Sequence, residues 1–291
     1  MIKCIVCDLD GTLIKHDDTI EEETFQKLKY YIDQGIEFII ATGRDINMVI
    51  DLLDQYQLDC DLILNNGTQY RNREGTINEI YPMDNDSFIK IANTLHQYGY
   101  LLAIHTNQGK FSLVDEDEFW DYHMKLLLKS FQYGSKKELP HKTFTTREGY
   151  LRDFHYASSP YEIIEKGIQV LKIDARHLDV QSIQGVKEKL DIPFLEISSS
   201  FGDNIEITTN RLNKGSMLEK VIKKKKYQRD EIAVFGDGLN DVGMLEKFSY
   251  SFAPYNADQY AKKAATYQLH LTNEDGAVKE GIEILEKLNL L

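Results

Sequence analysis

Short apolar, β-branched runs alternate with amphipathic helical patterns at both ends of this chain, and that alternation restricts the fold more than any other feature. "IKCIVCDL" reads as a fully buried strand: it is continuously apolar, too short for a helix, and closely followed by Gly11. "TIEEETFQKLKYYIDQG" has helical spacing, acidic residues in its first turn and Gly35 as a stop. "IEFIIATGR" predicts a second buried strand, "DINMVIDLLDQYQ" a helix, and "DLILNNGTQY" a third strand leading into a hairpin over "GTQYRNREGTINEIYP". Strands joined through helices run parallel, with right-handed crossovers.

From about Asp84 to Thr208 the pattern changes. "YLLAIHTNQGKFSLV" predicts a hairpin around Asn107, Gln108 and Gly109, and "DEDEFWDYHMKLLLKS" a helix. "QVLKIDAR", "PFLEISSS" and "NIEITTN" predict strands separated by helical patterns. That mixture predicts an antiparallel sheet with helices on one face. From "NKGSMLEKVIKKKK" onward the strand–helix alternation returns, through "EIAVFGDGLND", "YSFAPYN" and "YQLHLTNEDG". The expected organisation is an α/β, Rossmann-like core with a parallel sheet (residues 1–83 and 209–291) interrupted by an inserted α+β domain (residues 84–208).

With 291 residues, 42% hydrophobic and 28% charged, the chain is of globular composition and can bury a sizeable core. A net charge of -13 argues against nucleic acid or an anionic membrane as partner, because both would be repelled. An anionic substrate stays open, since a bound cation inverts the field of one pocket. No apolar run approaches the roughly 20 residues that span a bilayer. Asp8 and Asp10 interrupt the first apolar run too early for a secretory signal, so a cytoplasmic location is expected. Without such a signal, the glycosylation acceptor pattern at Asn66 to Thr68 is coincidental.

Cys4, Cys7 and Cys60 form no framework, which suggests free thiols in a reducing compartment. Cys4 and Cys7 lie three apart in a strand and so point to opposite faces; they are core packing, not a dithiol or zinc site. Asp8 and Asp10, two apart at the strand's carboxyl end, can share a side, and Gly11 permits a sharp turn that brings Thr12 near an anion. The carboxyl ends of parallel strands are where open α/β sheets place ligands. Lys214 enters a helix, where the dipole disfavours a cation unless an anion lies between. Asp237 and Asp241 follow the apolar run "EIAVF", with Gly236 and Gly238 allowing close approach. Taken singly, each feature also fits an ordinary polar turn or a solvated lysine.

Together, "DLDGTL", "ATGR", "NKG" and "GDGLND", in that order, resemble the four motifs of haloacid-dehalogenase-superfamily phosphatases. The spacing is similar to that of the Cof-type branch, whose large α/β cap lies between the second and third motifs. The resemblance implies that Asp8 is the nucleophile of an aspartyl-phosphate mechanism and that Asp10 protonates the leaving alcohol and then activates water. Thr42 and Lys214 would bind the phosphoryl oxygens, with backbone N–H groups at Leu9 and Gly43, and Asn240 would touch the phosphate side. Four carboxylates against one lysine leave no room for a phosphate dianion without a further cation, which hard oxygen ligands suggest is Mg²⁺. By the same resemblance Asp8 and Asp237 bind it through carboxylates, Asp10 through its main-chain carbonyl, and Asp241 mainly through water.

The implied substrate is a small phosphorylated metabolite selected by the cap; a phosphomutase and a non-catalytic binding module are the alternatives, and no oligomeric state follows. Arg44 is expected to be a salt-bridged residue and Asn66 to order the loop beside the site. Lys223 to Lys226 reads as a solvated helix end, Asp115 to Glu118 as an acidic helix start, and Trp120 and Tyr122 as cap core.

Overall fold

A computed structural model of the chain describes residues 1–133, 142–190, 192, 195–199, 204–209 and 212–291. In chain order the strands are β1 (Cys4–Cys7), β2 (Glu37–Ala41), β3 (Asp61–Leu64), β4 (Gln69–Arg71) and β5 (Asn78–Ile80). Then come β6 (Leu101–Thr106), β7 (Gly109–Ser112), β8 (Phe154–Tyr156), β9 (Val170–Arg176), β10 (Glu196–Ser198) and β11 (Asn204–Thr208). Last are β12 (Ile232–Phe235), β13 (Tyr250–Ala253) and β14 (Tyr267–Gln268). They form an eight-stranded sheet, β14-β13-β12-β1-β2-β3-β4-β5, and a six-stranded sheet, β10-β11-β9-β6-β7-β8. Residues 193, 194 and 200 of "PFLEISSS" and 210 of "NIEITTN" lie outside the described residues.

The chain divides into two compact units: Met1–Arg44 with Val49–Glu79 and Asn213–Leu291, and Asp45–Met48 with Ile80–Leu212. In the first unit, β1 pairs in parallel with β12 on one side and β2 on the other. Six strands from β14 to β3 run parallel, and β4 turns back antiparallel on β3. All four residues of β1 and of β12 are buried. Cys4, Cys7 and Cys60 are free and buried, and burial pushes their thiols up, away from reactivity. Phe235, Phe252 and Tyr267 stack in series across β12, β13 and β14 at 4.7 and 4.9 Å.

The helix expected over 45–57 is broken. A single tight turn spans Ile46–Met48 and the helix proper begins at Ile50, ending at Tyr56. Asp45 closes the turn by accepting from the Met48 N–H at 3.1 Å, and its other carboxylate oxygen meets His105 Nδ1 at 3.0 Å. Asn47 donates to Asp153 at 2.7 Å, and Met48 is buried beside Leu101 and Phe119. These tertiary anchors, all within the second unit, override the local helical pattern.

The second unit's sheet is antiparallel except where β7 meets β8 in parallel. One face carries Leu102, Ile104, Ile173, Ala175, Ile205 and Ile207, packed with Phe88, Ile91 and Leu95 of the helix Asn85–Gln97. On the other face, Leu101 and Ala103 pack with Phe119 and Leu126 of the helix Glu116–Tyr133, and Trp120 and Tyr122 join that cluster. Helices therefore flank both faces, not one. The reason lies in β6, which is buried along its whole length and offers apolar side chains to both sides. Asp115 caps the second of these helices by accepting from the Glu118 N–H, so "DEDE" is an acidic helix start.

On the same face as Leu101 and Ala103, the strand registers set Lys172, His105 and Lys110 side by side across β9, β6 and β7. Lys172 is buried and paired with buried Glu206 at 2.9 Å. Burial, with Glu206 adding repulsion, pushes Asp174 up to about 6. Between about pH 4 and 6 the folded chain thus holds a proton that the unfolded chain has released, so stability falls as pH rises through that window. Asp174→Asn should raise the melting temperature at pH 8, and the gain should shrink toward pH 4, where the native carboxyl is neutral. Thermal melts at the two pH values check this; an equal gain at both contradicts it.

Candidate active site

At the carboxyl ends of β1, β2, β3 and β12, all within the first unit, the polar residues collect. Cys7 pairs in register with both Phe235 and Ile40, so Asp8 leaves β1 level with the ends of its two neighbours. The Asp8 N–H donates to the Phe235 carbonyl at 3.0 Å, extending the ladder by one residue. The chain then turns sharply: the Leu9 carbonyl accepts from the N–H groups of Thr12, Leu13 and Ile14 at 3.2, 3.0 and 3.0 Å. Gly11 makes this turn at φ +82°, and a Cβ there would stand 2.4 Å from Asp237 Oδ2, so both conformation and space require glycine. Thr12 donates its hydroxyl to Asp237 Oδ1 at 2.7 Å.

Asp8, Asp237 and Asp241 each offer a carboxylate oxygen within 4.8 Å of the others. Lys214 lies between two of them, its Nζ donating to Asp8 Oδ1 at 2.5 Å and to Asp241 Oδ1 at 2.7 Å. Both Lys214 and Asp241 are fully buried, and Asp8 is 4% exposed. Asp241 Oδ2 accepts from the N–H groups of Asp237 and Gly238 at 3.1 and 3.0 Å. Burial, then repulsion from Asp241, pushes Asp8 well above the usual carboxylate range, and Lys214 only partly offsets this. The same two causes push Asp237 up to about 7 against the Thr12 hydrogen bond. Burial opposes the Lys214 charge, but Asp241 and Asp8 outweigh it and hold the ammonium above the ordinary lysine range. The cluster is short of positive charge. Its hard oxygen donors and its charge deficit suit a small divalent cation, which Asp8, Asp237 and Asp241 could hold.

Lys214 is the first residue of the helix Lys214–Lys225, with Asn213 and Ser216 forming a reciprocal cap. Gly215 lets this helix meet the Gly243 backbone closely: a Cβ at Gly215 would lie 2.2 Å from the Gly243 carbonyl oxygen. At its far end the lysine run is not simply solvated, since Lys224 pairs with Glu79, and Lys225 with Glu37 at 2.8 Å and Asp61 at 2.9 Å.

Asp10 does not share the carboxylate cluster's lysine. Its two oxygens accept from Arg44 Nε and Nη2 at 2.8 and 2.7 Å, and Arg44 Nη2 also reaches Asp18 Oδ1 at 2.8 Å. Thr42, fully buried, accepts from the Arg44 N–H through its hydroxyl at 3.1 Å; Gly43 stands between them at the end of β2. Asn65 and Asn66 both take the left-handed conformation, at φ 50° and 55°, and their N–H groups donate to the carbonyls of Arg44 and Thr42. Asn240 donates to the Asn66 side chain at 3.2 Å. Asn66 is 4% exposed, which leaves no access for glycosylation. Sequence reasoning missed Asp18, Asn65, Asn256 and Asn273. The last two donate to the carbonyls of Gly11 and Ile14, each at 2.8 Å, and so fix the loop after β1. Their only sequence signal is a short polar side chain in a turn.

A family profile described as haloacid dehalogenase-like hydrolase matches residues 5–280. The chain belongs to the haloacid dehalogenase-like hydrolase family. This haloacid dehalogenase-like hydrolase is 24% identical over 278 residues (96% of this chain, 94% of the relative) to a 5-amino-6-(5-phospho-D-ribitylamino)uracil phosphatase of Bacillus subtilis strain 168. It is 24% identical over 265 residues (90% and 91%) to a pyridoxal phosphate phosphatase of Escherichia coli K12. The solved structure of a haloacid dehalogenase-like hydrolase from B. subtilis superimposes with a TM-score of 0.84, covering 98% of this chain and 99% of that one at 24% identity, which shows the fold. Among the described residues no helix is long and apolar enough to cross a membrane.

Proposed function

We propose that this hydrolase is a Mg²⁺-dependent phosphatase of small phosphate esters that passes the phosphoryl group through Asp8. One observation carries the reading: three carboxylates, Asp8, Asp237 and Asp241, converge at the strand ends beside a buried lysine that bridges two of them. A retired site has no reason to keep groups that repel one another in a buried place. Asp8, one residue past β1, is the group that attacks phosphorus, so that the P–O bond to the alcohol breaks as the bond to Asp8 forms. Asp10 delivers a proton to the departing alcohol oxygen and afterwards takes one from the attacking water. Lys214 carries a full charge to the phosphoryl oxygens; a unit charge at about 4 Å contributes on the order of 4 kcal/mol at an effective dielectric near 20.

The Thr42 hydroxyl and the backbone N–H groups at Leu9 and Gly43 complete the phosphate cradle, and Asn240, steadied by Asn66, lies on its edge. Asp8, Asp237 and Asp241 would hold Mg²⁺, with the Asp10 carbonyl as a further ligand. When bound, that ion neutralises carboxylate charge and orients the phosphoryl group. The second unit acts as the cap that selects the alcohol, since the first supplies only phosphate chemistry. Relatives named for small phosphorylated metabolites support an ester of that size.

A panel of phosphorylated sugars, vitamers and nucleotides, assayed with Mg²⁺ and with chelator, tests the reading. Phosphate release from several small esters that stops on chelation is expected. No release from any of them with Mg²⁺ present contradicts it.

A further inference from the structure

Arg44 holds Asp10 by a two-pronged contact, Nε to Oδ2 at 2.8 Å and Nη2 to Oδ1 at 2.7 Å. Such a fork fixes both the position and the plane of a carboxylate, which a lysine, as a point charge, does not. Arg44 is itself immobilised. Its side chain is 3% exposed, its N–H donates to the Thr42 hydroxyl, and its carbonyl accepts from the Asn65 N–H at 3.0 Å. Its Nη2 also donates to Asp18 Oδ1 at 2.8 Å. Asp18 comes from the loop that follows the sharp turn, where it sits at φ +62° with its N–H on the Lys15 carbonyl at 3.1 Å. The guanidinium thus ties together the end of β2, the Asp10 carboxylate and a loop residue outside the four motifs.

We propose that Arg44 and Asp18 are positioning residues for the leaving-group step: through the fork they hold Asp10 where the departing alcohol oxygen must receive its proton. The inference rests on the phosphatase reading above. A general acid works only within hydrogen-bond reach, about 2.6–3.2 Å, of the oxygen it protonates, so an Asp10 free to rotate spends most of its time out of place. When Asp10 carries its proton, on Oδ1, Nε still holds Oδ2 and Nη2 rests on Asp18, so Asp18 keeps the guanidinium in place while the proton is loaded and delivered.

The dependence on leaving group reads this out. A simple alkoxide departs only with a proton, whereas p-nitrophenolate needs none. For each ester, kcat/KM reports steps up to release of the alcohol, before water attacks. Arg44→Lys and Asp18→Gly should lower kcat/KM for glycerol 3-phosphate on the order of 10²-fold, and that for p-nitrophenyl phosphate by no more than about threefold. Glycine accepts the left-handed conformation at position 18 and removes the acceptor, so that variant keeps the loop even if Arg44→Lys fails to fold. Equal losses on both esters would mean a structural role or a direct phosphate contact, and would overturn the proposal, as would no loss on either. A parent enzyme that, with Mg²⁺ present, cleaves neither these two esters nor any other of the panel removes the phosphatase reading itself and this inference with it.

Discussion

Asp8→Asn should lower kcat on small phosphate esters by at least about 10³-fold while leaving the fold intact. An amide nitrogen or oxygen at the end of β1 cannot form the acyl phosphate, and its two neighbours in the cluster are engaged elsewhere, Asp241 by Lys214 and two backbone N–H groups and Asp237 by the Thr12 hydroxyl. The expected stability change has the opposite sign to the activity change. Burial and Asp241 raise the Asp8 carboxyl well above its ordinary value, so the folded chain favours its neutral form. Above the ordinary carboxylate range the folded chain must therefore hold a proton that the unfolded chain has released or bear a buried charge; either costs folding free energy, and a neutral amide removes that cost. With metal chelated, the variant should melt no lower than the parent, and its advantage should grow as pH rises above the ordinary carboxylate range. A variant that is inactive and also much less stable would instead mark Asp8 as a structural residue.

Lys214→Met should be costly on both counts. Removing one preorganised charge from a phosphoryl-transfer site is expected to lower kcat by about 10²–10³-fold. In the fold the substitution removes the ammonium that Asp8 and Asp241 share, leaving buried carboxylates to repel each other, for a loss of about 3–5 kcal/mol. The sign with pH follows from the partners. Lys214 itself is held above the ordinary lysine range and stays charged wherever the carboxylates titrate. In the variant the repulsion fades in acid as the carboxyls of Asp8 and Asp237, which burial and Asp241 already raise in the parent, take up protons. The stability deficit, measured by thermal melts against the parent, should accordingly be largest above pH 7 and shrink in acid. Lys214→Arg should not rescue activity, since the wider guanidinium does not fit a fully buried point contact with two carboxylates.

Much of the site was legible because its chemistry follows buried strands directly. A run such as "IAVF" announces its own burial, and in a parallel sheet the residues just past it have one place to go. Asp8, Thr42 and Asp237 lie just past such runs and Lys214 at a helix entry, but each alone fits an ordinary turn or a solvated lysine, and only the resemblance of the four ordered motifs marked them as candidate site residues. Pairing was the part that stayed hidden. That Arg44 would take Asp10, 34 positions away, and also Asp18, 26 positions away, depends on how the connections after β1 and β2 meet, and no local pattern encodes that. The turn at Ile46–Met48 was hidden for the same reason, since "DINMVI" has helical spacing and it is partners far along the chain, His105 and Asp153 among them, that hold it otherwise. The left-handed Asn65 and Asn66 are compatible with their residue type, yet "NNG" alone reads as an ordinary turn.

The central claim is that phosphorus is bonded to Asp8 during turnover. Enzyme quenched in acid while hydrolysing a small phosphate ester in Mg²⁺ should carry one phosphoryl group, located by peptide mass spectrometry on the segment that contains Asp8, and should lose it when turnover is allowed to finish. Phosphate release at full rate with that segment unmodified at every quench time, or with the label on another residue, would contradict the account.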